Sequence, residues 1–140
     1  LIDNVENNYD FIAHIRPTSP QRHIKDLIKA VSGFVNSKFN SLRSVHEMSE
    51  TAYKAVEVKN GRLKTLKNLK LSLDDINKPR QKFSKTYSPN GVIDIYRKKV
   101  ILECKNLLGK KTKAYITSYS QEIDVIEDFK YLEYLWKKKK

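Results

Sequence analysis

The pattern of apolar and polar positions divides the chain into segments typical of strands and of helices. Apolar residues recur at the 3.6-residue period over 24–35 and again over 125–136, and each segment predicts an amphipathic helix. Short apolar or alternating runs predict four strands, over about 10–16, 41–47, 92–96 and 112–118. Strands and helices therefore alternate towards both ends of the chain.

The middle of the chain has a different pattern. Residues 52–66 predict a hairpin that turns at Asn60-Gly61, and 68–90 have no clean period and hold two prolines. Loops of this length are usually functional or interfacial. A further helix is predicted over 98–108, ended by Gly109. The class expected is α/β with a mainly parallel sheet, interrupted by a largely β insertion.

Composition narrows the class of protein. The chain has 140 residues, and 28 Lys and Arg against 16 Asp and Glu give a net charge of +12, which attracts polyanions. The lysines are spread along the chain and do not interleave with aromatic residues, so a nucleic-acid site is the weaker interpretation; a phosphate-rich small substrate or a lysine-rich proteome explains the charge as well. The single cysteine, Cys104, excludes an internal disulfide and a cysteine zinc cluster, and its helical spacing predicts a buried or half-buried thiol.

The expected cellular location rests on two features that the sequence does not show, a membrane-spanning run and a signal pattern. No apolar run approaches the ~20 residues that cross a bilayer, so no membrane partner is expected. The chain begins at Leu1 without a basic-then-apolar signal pattern, which favours the cytoplasm and a start inside a longer protein.

The stretch IRPTSPQRH, over 15–23, carries the first candidate chemistry. Arg16, Thr18, Ser19 and Arg22 lie around two prolines where a strand gives way to a helix, the place where open α/β sheets bind ligands. Hydroxyls, guanidinium groups and free helix N–H groups can form a cradle for an anion. The alternative is that Ser19 caps the helix, with proline at its first position and the arginines solvated.

Four stretches in order resemble the acylneuraminate cytidylyltransferases, the CMP–sialic acid synthetase family. RPTSPQR over 16–22 is similar to the family's PTSP-and-arginine signature, and KPRQKFSKTYSPNGVIDIY over 78–96 to its Arg-Gln segment and Asn-Gly strand. QEIDVIEDF over 121–129 is similar to its acidic motif, and 41–56 to the strand that enters its dimerisation insertion. The resemblance covers nearly all 140 residues.

The resemblance implies a three-layer, Rossmann-like fold of the nucleotide-diphospho-sugar transferase type. Residues 1–140 would be its C-terminal part, 49–87 its dimerisation insertion, and the glycine-rich nucleotide loop is absent, so this fragment alone is expected to be inactive. The family is implied to be homodimeric and cytoplasmic and to require Mg²⁺ or Mn²⁺. It joins CMP from CTP to an acidic nine-carbon sugar such as N-acetylneuraminic acid, releasing pyrophosphate. A basic nucleic-acid-binding module and an inactive dimerisation fragment are the alternatives.

The acidic motif is the candidate catalytic and metal site. Glu122 and Asp124 are implied to hold the cation, and residues two apart on a strand point the same way. The family usually has Asp where Glu122 stands. Asp124, spaced from Glu127 as in a capping box, can instead cap the last helix.

The resemblance also implies residues that bind substrate. Besides the 16–22 stretch, Lys54, Arg80 and Gln81 would reach across a dimer, with Arg80 gripping the sugar carboxylate. Asn90 and Gly91 would let the chain approach the ligand closely. Lys54 as a solvated strand lysine, and Asn90-Gly91 as an ordinary turn, are the alternatives. The family commonly has Tyr at Asp94 and Gln at Arg16, which indicates a changed sugar pocket. These substrate-binding candidates are Arg16, Thr18, Ser19, Arg22, Lys54, Arg80, Gln81, Asn90, Gly91 and Asp94.

Overall fold

The structure, a computed structural model, describes residues 9–138 and divides into two compact units. One unit is built from 9–46 and 89–138, and the other is Glu47–Ser88. The insertion predicted over 49–87 lies inside the second unit, and its role in dimerisation stays a prediction. The strands are β1 (Phe11–His14), β2 (Ser41–Glu47), β3 (Val56–Lys59), β4 (Arg62–Thr65), β5 (Tyr87–Arg97) and β6 (Thr112–Thr117), and the α-helices are α1 (Ile24–Val35), α2 (Lys98–Cys104) and α3 (Ile126–Lys137).

The main sheet has the strand order β1-β5-β2-β6. Strands β1 and β5 pair antiparallel, and β2 and β6 pair parallel. The α/β class is confirmed, but the prediction of a mainly parallel sheet is wrong for the described residues. Strand β5 runs antiparallel to β2, since the N–H of Arg97 bonds the carbonyl of Asn40 at one end and the N–H of Met48 bonds that of Thr86 at the other. After the Glu47–Ser88 unit the chain therefore runs back alongside β2 in the opposite direction. A parallel neighbour would instead need a crossover connection.

The hydrophobic core lies between α1 and one face of this sheet. Phe34 is fully buried because the apolar stripe of α1 faces Leu42 of β2 and Ile93 and Ile95 of β5. Arg97 stabilises the end of α1, with Nη2 donating to the carbonyls of Val35 at 3.2 Å and Ser37 at 2.7 Å. The helical residues of this core belong to α1, which lies on one face of the sheet. The core therefore does not show the three-layer arrangement that the resemblance implied.

The other two helices depart from their predictions. Helix α2 ends at Cys104, followed by left-handed Lys105 with φ of 51°, and not at Gly109. Cys104 is exposed, which corrects the predicted burial. Helix α3 forms where expected, but Leu132 is the buried residue of its apolar stripe, and Phe129 and Trp136 are 51% and 61% exposed. None of the described helices combines the length and the apolar character needed to cross a membrane.

The second unit contains the predicted hairpin. Strands β3 and β4 pair antiparallel, and Asn60 and Gly61 both have positive φ, as a tight two-residue hairpin turn requires. The same unit contains three short 3₁₀ turns, one before the hairpin at Ala52–Lys54 and two after it at Asp75–Asn77 and Arg80–Lys82. Tyr53 stacks on Phe83 with ring centroids 5.7 Å apart.

Candidate functional site

The loop after β1 and the segment after β6 meet at one end of the first unit. The N–H of Ile123 donates to the carbonyl of Thr18 at 2.9 Å. Buried Ser19 donates its hydroxyl to Oε1 of Glu122 at 3.3 Å. The structure therefore brings together the PTSP stretch and the acidic motif, although 103 residues separate Ser19 from Glu122.

Gly91 joins these two segments from a third direction. It lies within β5, so the alternative of an ordinary turn at Asn90-Gly91 is wrong. A Cβ at this position would stand 2.2 Å from the Ser19 hydroxyl, 2.6 Å from Oε1 of Glu122 and 3.1 Å from Cδ of Arg16. Glycine is needed here because the other side chains occupy the space that any side chain would take.

Asp94 anchors two arginines on the sheet. Arg43 of β2 bonds its carboxylate through Nε at 3.2 Å and Nη2 at 3.3 Å, and Nη2 of Arg16 lies 3.5 Å from Oδ2. The hydroxyl of Tyr96 donates to Oδ2 at 3.2 Å. The hydrogen bonds to Asp94 raise the pKa of Arg43. Burial has the larger effect on Tyr96 and the charge of the Asp94 carboxylate a smaller one, and both raise the pKa of its hydroxyl.

Asn90 is buried, and both the nitrogen and the oxygen of its side-chain amide have polar partners. Its amide nitrogen donates to Oγ1 of Thr117 at 2.9 Å and lies 3.5 Å from Nδ1 of His46, while Oδ1 accepts from the N–H of Val92. These bonds tie β5 to β2 and β6. The predicted contact of Asn90 with substrate stays a prediction.

The start of α1 corrects one alternative. His23, not Ser19, is the N-cap of this helix, so the helix-cap interpretation of Ser19 is wrong. Arg22 donates through Nη2 to the carbonyl of Arg16, and its buried Nε has no partner in the described part of the chain. Burial lowers the pKa of Arg22. Arg22 lines a cavity of about 540 Å³ together with Ser120 and Trp136.

Glu122 and Asp124 do not lie on a strand, which corrects the expectation that strand geometry aligns their carboxylates. Both follow β6 in a loop, where Glu122 is half-buried and Asp124 is exposed. Val125 is the N-cap of α3, and the carboxylate of Asp128 accepts the N–H groups of Asp124 at 3.0 Å and Val125 at 3.1 Å. Asp124 therefore does not cap α3, which was the alternative to a role in metal binding. Glu127 does not form the predicted capping box.

The fit of a divalent cation rests on this donor set. No group of three or more His, Cys, Asp and Glu suited to a metal occurs among residues 9–138. Mg²⁺ that acts on phosphates commonly takes only one or two carboxylates, with water and substrate oxygens completing its shell. A half-buried carboxylate oriented by Ser19 and an exposed one two residues later fit that sparser pattern.

The remaining predicted residues lie in the second unit. Lys54 is half-buried in a 3₁₀ turn, and Gln81 is exposed in another. Arg80 donates Nη2 to Oε1 of Glu47 and the carbonyl of Met48, both at 2.9 Å, and Nη1 to the carbonyl of Ser49 at 2.7 Å. Its guanidinium is thus engaged by three acceptors of its own unit.

Sequence reasoning missed Arg43, Tyr96 and Asp128. Arg43 lies on β2, whose alternating pattern of apolar and polar residues was recognised. A polar residue in such a pattern indicates only that its side chain points away from the core. Tyr96 was treated only as the end of the predicted strand over 92–96, and Asp128 was overlooked because Glu127 had the expected capping spacing. Knowledge of which strands pair would have placed Arg43 beside Asp94.

Comparisons with known proteins add a distant relative. The chain is 28% identical over 134 residues to a Campylobacter coli protein named post-translational flagellin modification protein B. The match covers 94% of this chain and 54% of that protein, so the chain spans about half the length of its curated relative. No family model matches the chain. The similarity is consistent with the resemblance drawn from the four motifs, at a large evolutionary distance.

Proposed function

We propose that this chain is part of a nucleotidyltransferase that transfers CMP from CTP to an acidic nine-carbon sugar. The observation that carries the proposal is the convergence of Ser19, Gly91 and Glu122, which come from three of the motifs that resemble the family. The distant relative is named for the post-translational modification of flagellin, and an activated sugar is one class of donor for modifying a protein.

The proposed reaction forms one bond and breaks one. The oxygen of the sugar's anomeric hydroxyl bonds the α-phosphorus of CTP, the bond from that phosphorus to the bridging oxygen breaks, and pyrophosphate leaves. The hydroxyl proton passes to a base. Chemistry of this kind needs positioning of the two reactants and neutralisation of phosphate charge.

Each residue of the site has a task in this proposal. Glu122 and Asp124 would hold Mg²⁺ or Mn²⁺, which when bound neutralises phosphate oxygens and orients them. Ser19 fixes the Glu122 carboxylate by its hydrogen bond, and Gly91 keeps space for both. Arg16, Thr18 and Arg22 would supply cationic and hydroxyl donors to the substrates.

The proposal extends to the assembly. The enzyme would act in the cytoplasm as a homodimer, with the Glu47–Ser88 unit pairing two copies and bringing Lys54 and Gln81 to the partner's site. Every apolar side chain found fully buried in the described residues belongs to the first unit. An inserted unit without its own buried apolar core favours association with another surface.

The test uses the full-length protein that contains this chain. We expect pyrophosphate release that requires CTP, N-acetylneuraminic acid or a related sugar acid, and Mg²⁺. Asp124→Asn should leave the unfolding temperature unchanged, because this residue is exposed and does not cap α3. Turnover should fall about 100-fold or more, since a metal contact supplies several kcal/mol and each ~1.4 kcal/mol is a factor of ten.

Glu127→Gln is the matched control, because it removes an exposed carboxylate three residues away from Asp124. It should keep full turnover. Near-normal turnover of Asp124→Asn across a magnesium titration would remove this residue from the metal site. Absence of CTP-dependent turnover with every nine-carbon sugar acid would contradict the proposed function.

A further inference from the structure

The arginine pair on Asp94 lies on the face of the sheet that α1 does not cover. Ile93 and Ile95 of β5 belong to the core against α1, and side chains alternate along a strand, so Asp94 and Tyr96 point to the opposite face. His14 pairs directly with Asp94 across β1 and β5, and its ring lies 6.4 Å from that of Tyr96. A polar cluster therefore occupies this face of the sheet.

The carboxylate of the cluster is sealed, and its guanidinium groups are not. The Asp94 side chain is 2% exposed, against 39% for Arg16 and 29% for Arg43. An anion that approaches the cluster from solvent thus reaches the arginines and not the aspartate.

The charges of the cluster do not balance. Two guanidinium groups share one carboxylate, which leaves one unit of positive charge, and both arginines form their ion pairs in the described chain with Asp94. Each guanidinium has five N–H donors. Arg43 uses Nε and Nη2 towards Asp94, and Arg16 uses Nη2, so each retains donors for a further acceptor.

The cluster is continuous with the site already described. Arg16 approaches Gly91 through Cδ and Asp94 through its guanidinium, so a single side chain joins the Glu122 group to the Arg43 group. Residues 91 and 94 are three apart on β5, a span of about 10 Å at ~3.3 Å per residue. The guanidinium group of Arg16 is therefore within reach of a substrate held at the Glu122 group.

From this geometry we infer that Arg43, together with Arg16, binds the carboxylate of the acidic sugar, and that Asp94 is the positioning residue that holds both guanidinium groups. The inference rests on the proposed function and names the group that recognises its substrate. It transfers to Arg43 the task that the family resemblance implies for Arg80, whose guanidinium already donates to Glu47, Met48 and Ser49 of its own unit. Two hydrogen-bonded arginines select a planar carboxylate over a neutral group.

The experiment compares N-acetylneuraminic acid with its methyl ester, which keeps the sugar and loses the charge. On the full-length protein, kcat/KM is measured for each at saturating CTP. Arg43→Gln should lower kcat/KM for the acid about tenfold to a hundredfold and leave that for the ester nearly unchanged, since a charged hydrogen bond is lost only with the acid. Arg43→Lys should fall between, because lysine keeps the charge without the fork.

Two controls define the outcome. Arg62→Gln removes an exposed arginine of the second unit and should change neither substrate, and Arg80→Gln tests the competing assignment and should keep the preference for the acid. Equal losses for acid and ester in Arg43→Gln, or loss of the preference in Arg80→Gln alone, would overturn the inference and leave the proposed function standing. If the wild type uses a different nine-carbon sugar acid, that acid and its methyl ester are compared instead. A wild-type protein that uses no nine-carbon sugar acid would overturn both. Thermal unfolding reports whether Arg43→Gln folds, and Arg43→Lys carries the same comparison if it does not.

Discussion

Gly91 is the residue on which three segments of the site converge, and it supports a direct prediction. In Gly91→Ala the new methyl would overlap the Ser19 hydroxyl and the Glu122 carboxylate, at 2.2 and 2.6 Å. We expect the free energy of unfolding to fall by about 1–3 kcal/mol, the usual cost of overpacking, and turnover to fall with it because Glu122 is displaced. Urea denaturation and the turnover assay on the full-length protein measure the two effects.

Gly33→Ala is the matched control for this substitution. Gly33 is exposed on α1, and a Cβ there would meet only Nζ of Lys113, at an ordinary 3.5 Å. Alanine in a helix is favoured over glycine by roughly 0.5–1 kcal/mol, so this variant should be at least as stable as the wild type. Equal stability of the two variants would show that the space around Gly91 is open.

At this scale the sequence predicted which residues meet better than what each one does. The motif order placed Ser19, Gly91 and Glu122 in one site, and their contacts agree with that. The hydrogen bond between Ser19 and Glu122 and the ion pair between Arg43 and Asp94 join residues that are 51 or more positions apart in the sequence. Local patterns carry no information about such distant partners.

Among the elements, helix α3 begins at a cap that the spacing of acidic residues did not identify. Asp128 accepts the N–H groups of Asp124 and Val125, and its Oδ1 accepts from Nε2 of Gln121 at 3.1 Å. Asp128→Ala should therefore lower the free energy of unfolding by about 0.5–2 kcal/mol, as for other lost helix caps. Glu127→Ala, next along the helix and exposed, should cost only a few tenths of a kcal/mol, and chemical denaturation compares the two. A larger loss for Glu127→Ala would restore the capping box predicted from the sequence.

Element boundaries show where periodicity suffices. Helix α1 forms over the predicted 24–35, and the Asn60-Gly61 turn forms because both residues tolerate positive φ. The exposed apolar stripe of α3 was not predictable, because a helical period tells which residues share a face and not what covers that face. The early end of α2 at Cys104 was missed for a similar reason, since Lys105 adopts the left-handed conformation that glycine was expected to supply.

For the molecule as a whole, the sequence did not reveal the strand directions, and the insertion predicted over 49–87 falls within the Glu47–Ser88 unit. Two prolines and the loss of a regular period marked the segment 68–90, most of which lies in the Glu47–Ser88 unit. The order β1-β5-β2-β6 depends on where the chain returns after that segment. Alternating strands and helices favour parallel pairing only when each helix carries the chain back across the sheet.

The second unit carries an apolar pair on its surface that gives the last prediction. Val58 and Leu63 face each other across the hairpin and are 73% and 55% exposed. Exposed apolar neighbours of this kind mark association surfaces when they extend into a larger patch, and Leu73 of the same unit is also exposed, at 43%. We expect the full-length protein to sediment as a dimer that this hairpin helps to hold.

Leu63→Glu places a charge in that surface without touching a buried side chain. Sedimentation velocity should show a shift from dimer to monomer, while the unfolding of the separated subunit keeps its cooperativity. Leu107→Glu makes the same change at a leucine of the first unit that is 50% exposed, and should leave the dimer intact. A monomeric wild type at high protein concentration, or a Leu63→Glu variant that remains dimeric as the Leu107→Glu control does, would mean that this hairpin does not pair the two copies. If Leu107→Glu dissociated the dimer and Leu63→Glu did not, the pairing surface would belong to the first unit, and Lys54 and Gln81 would have no route to a partner's site.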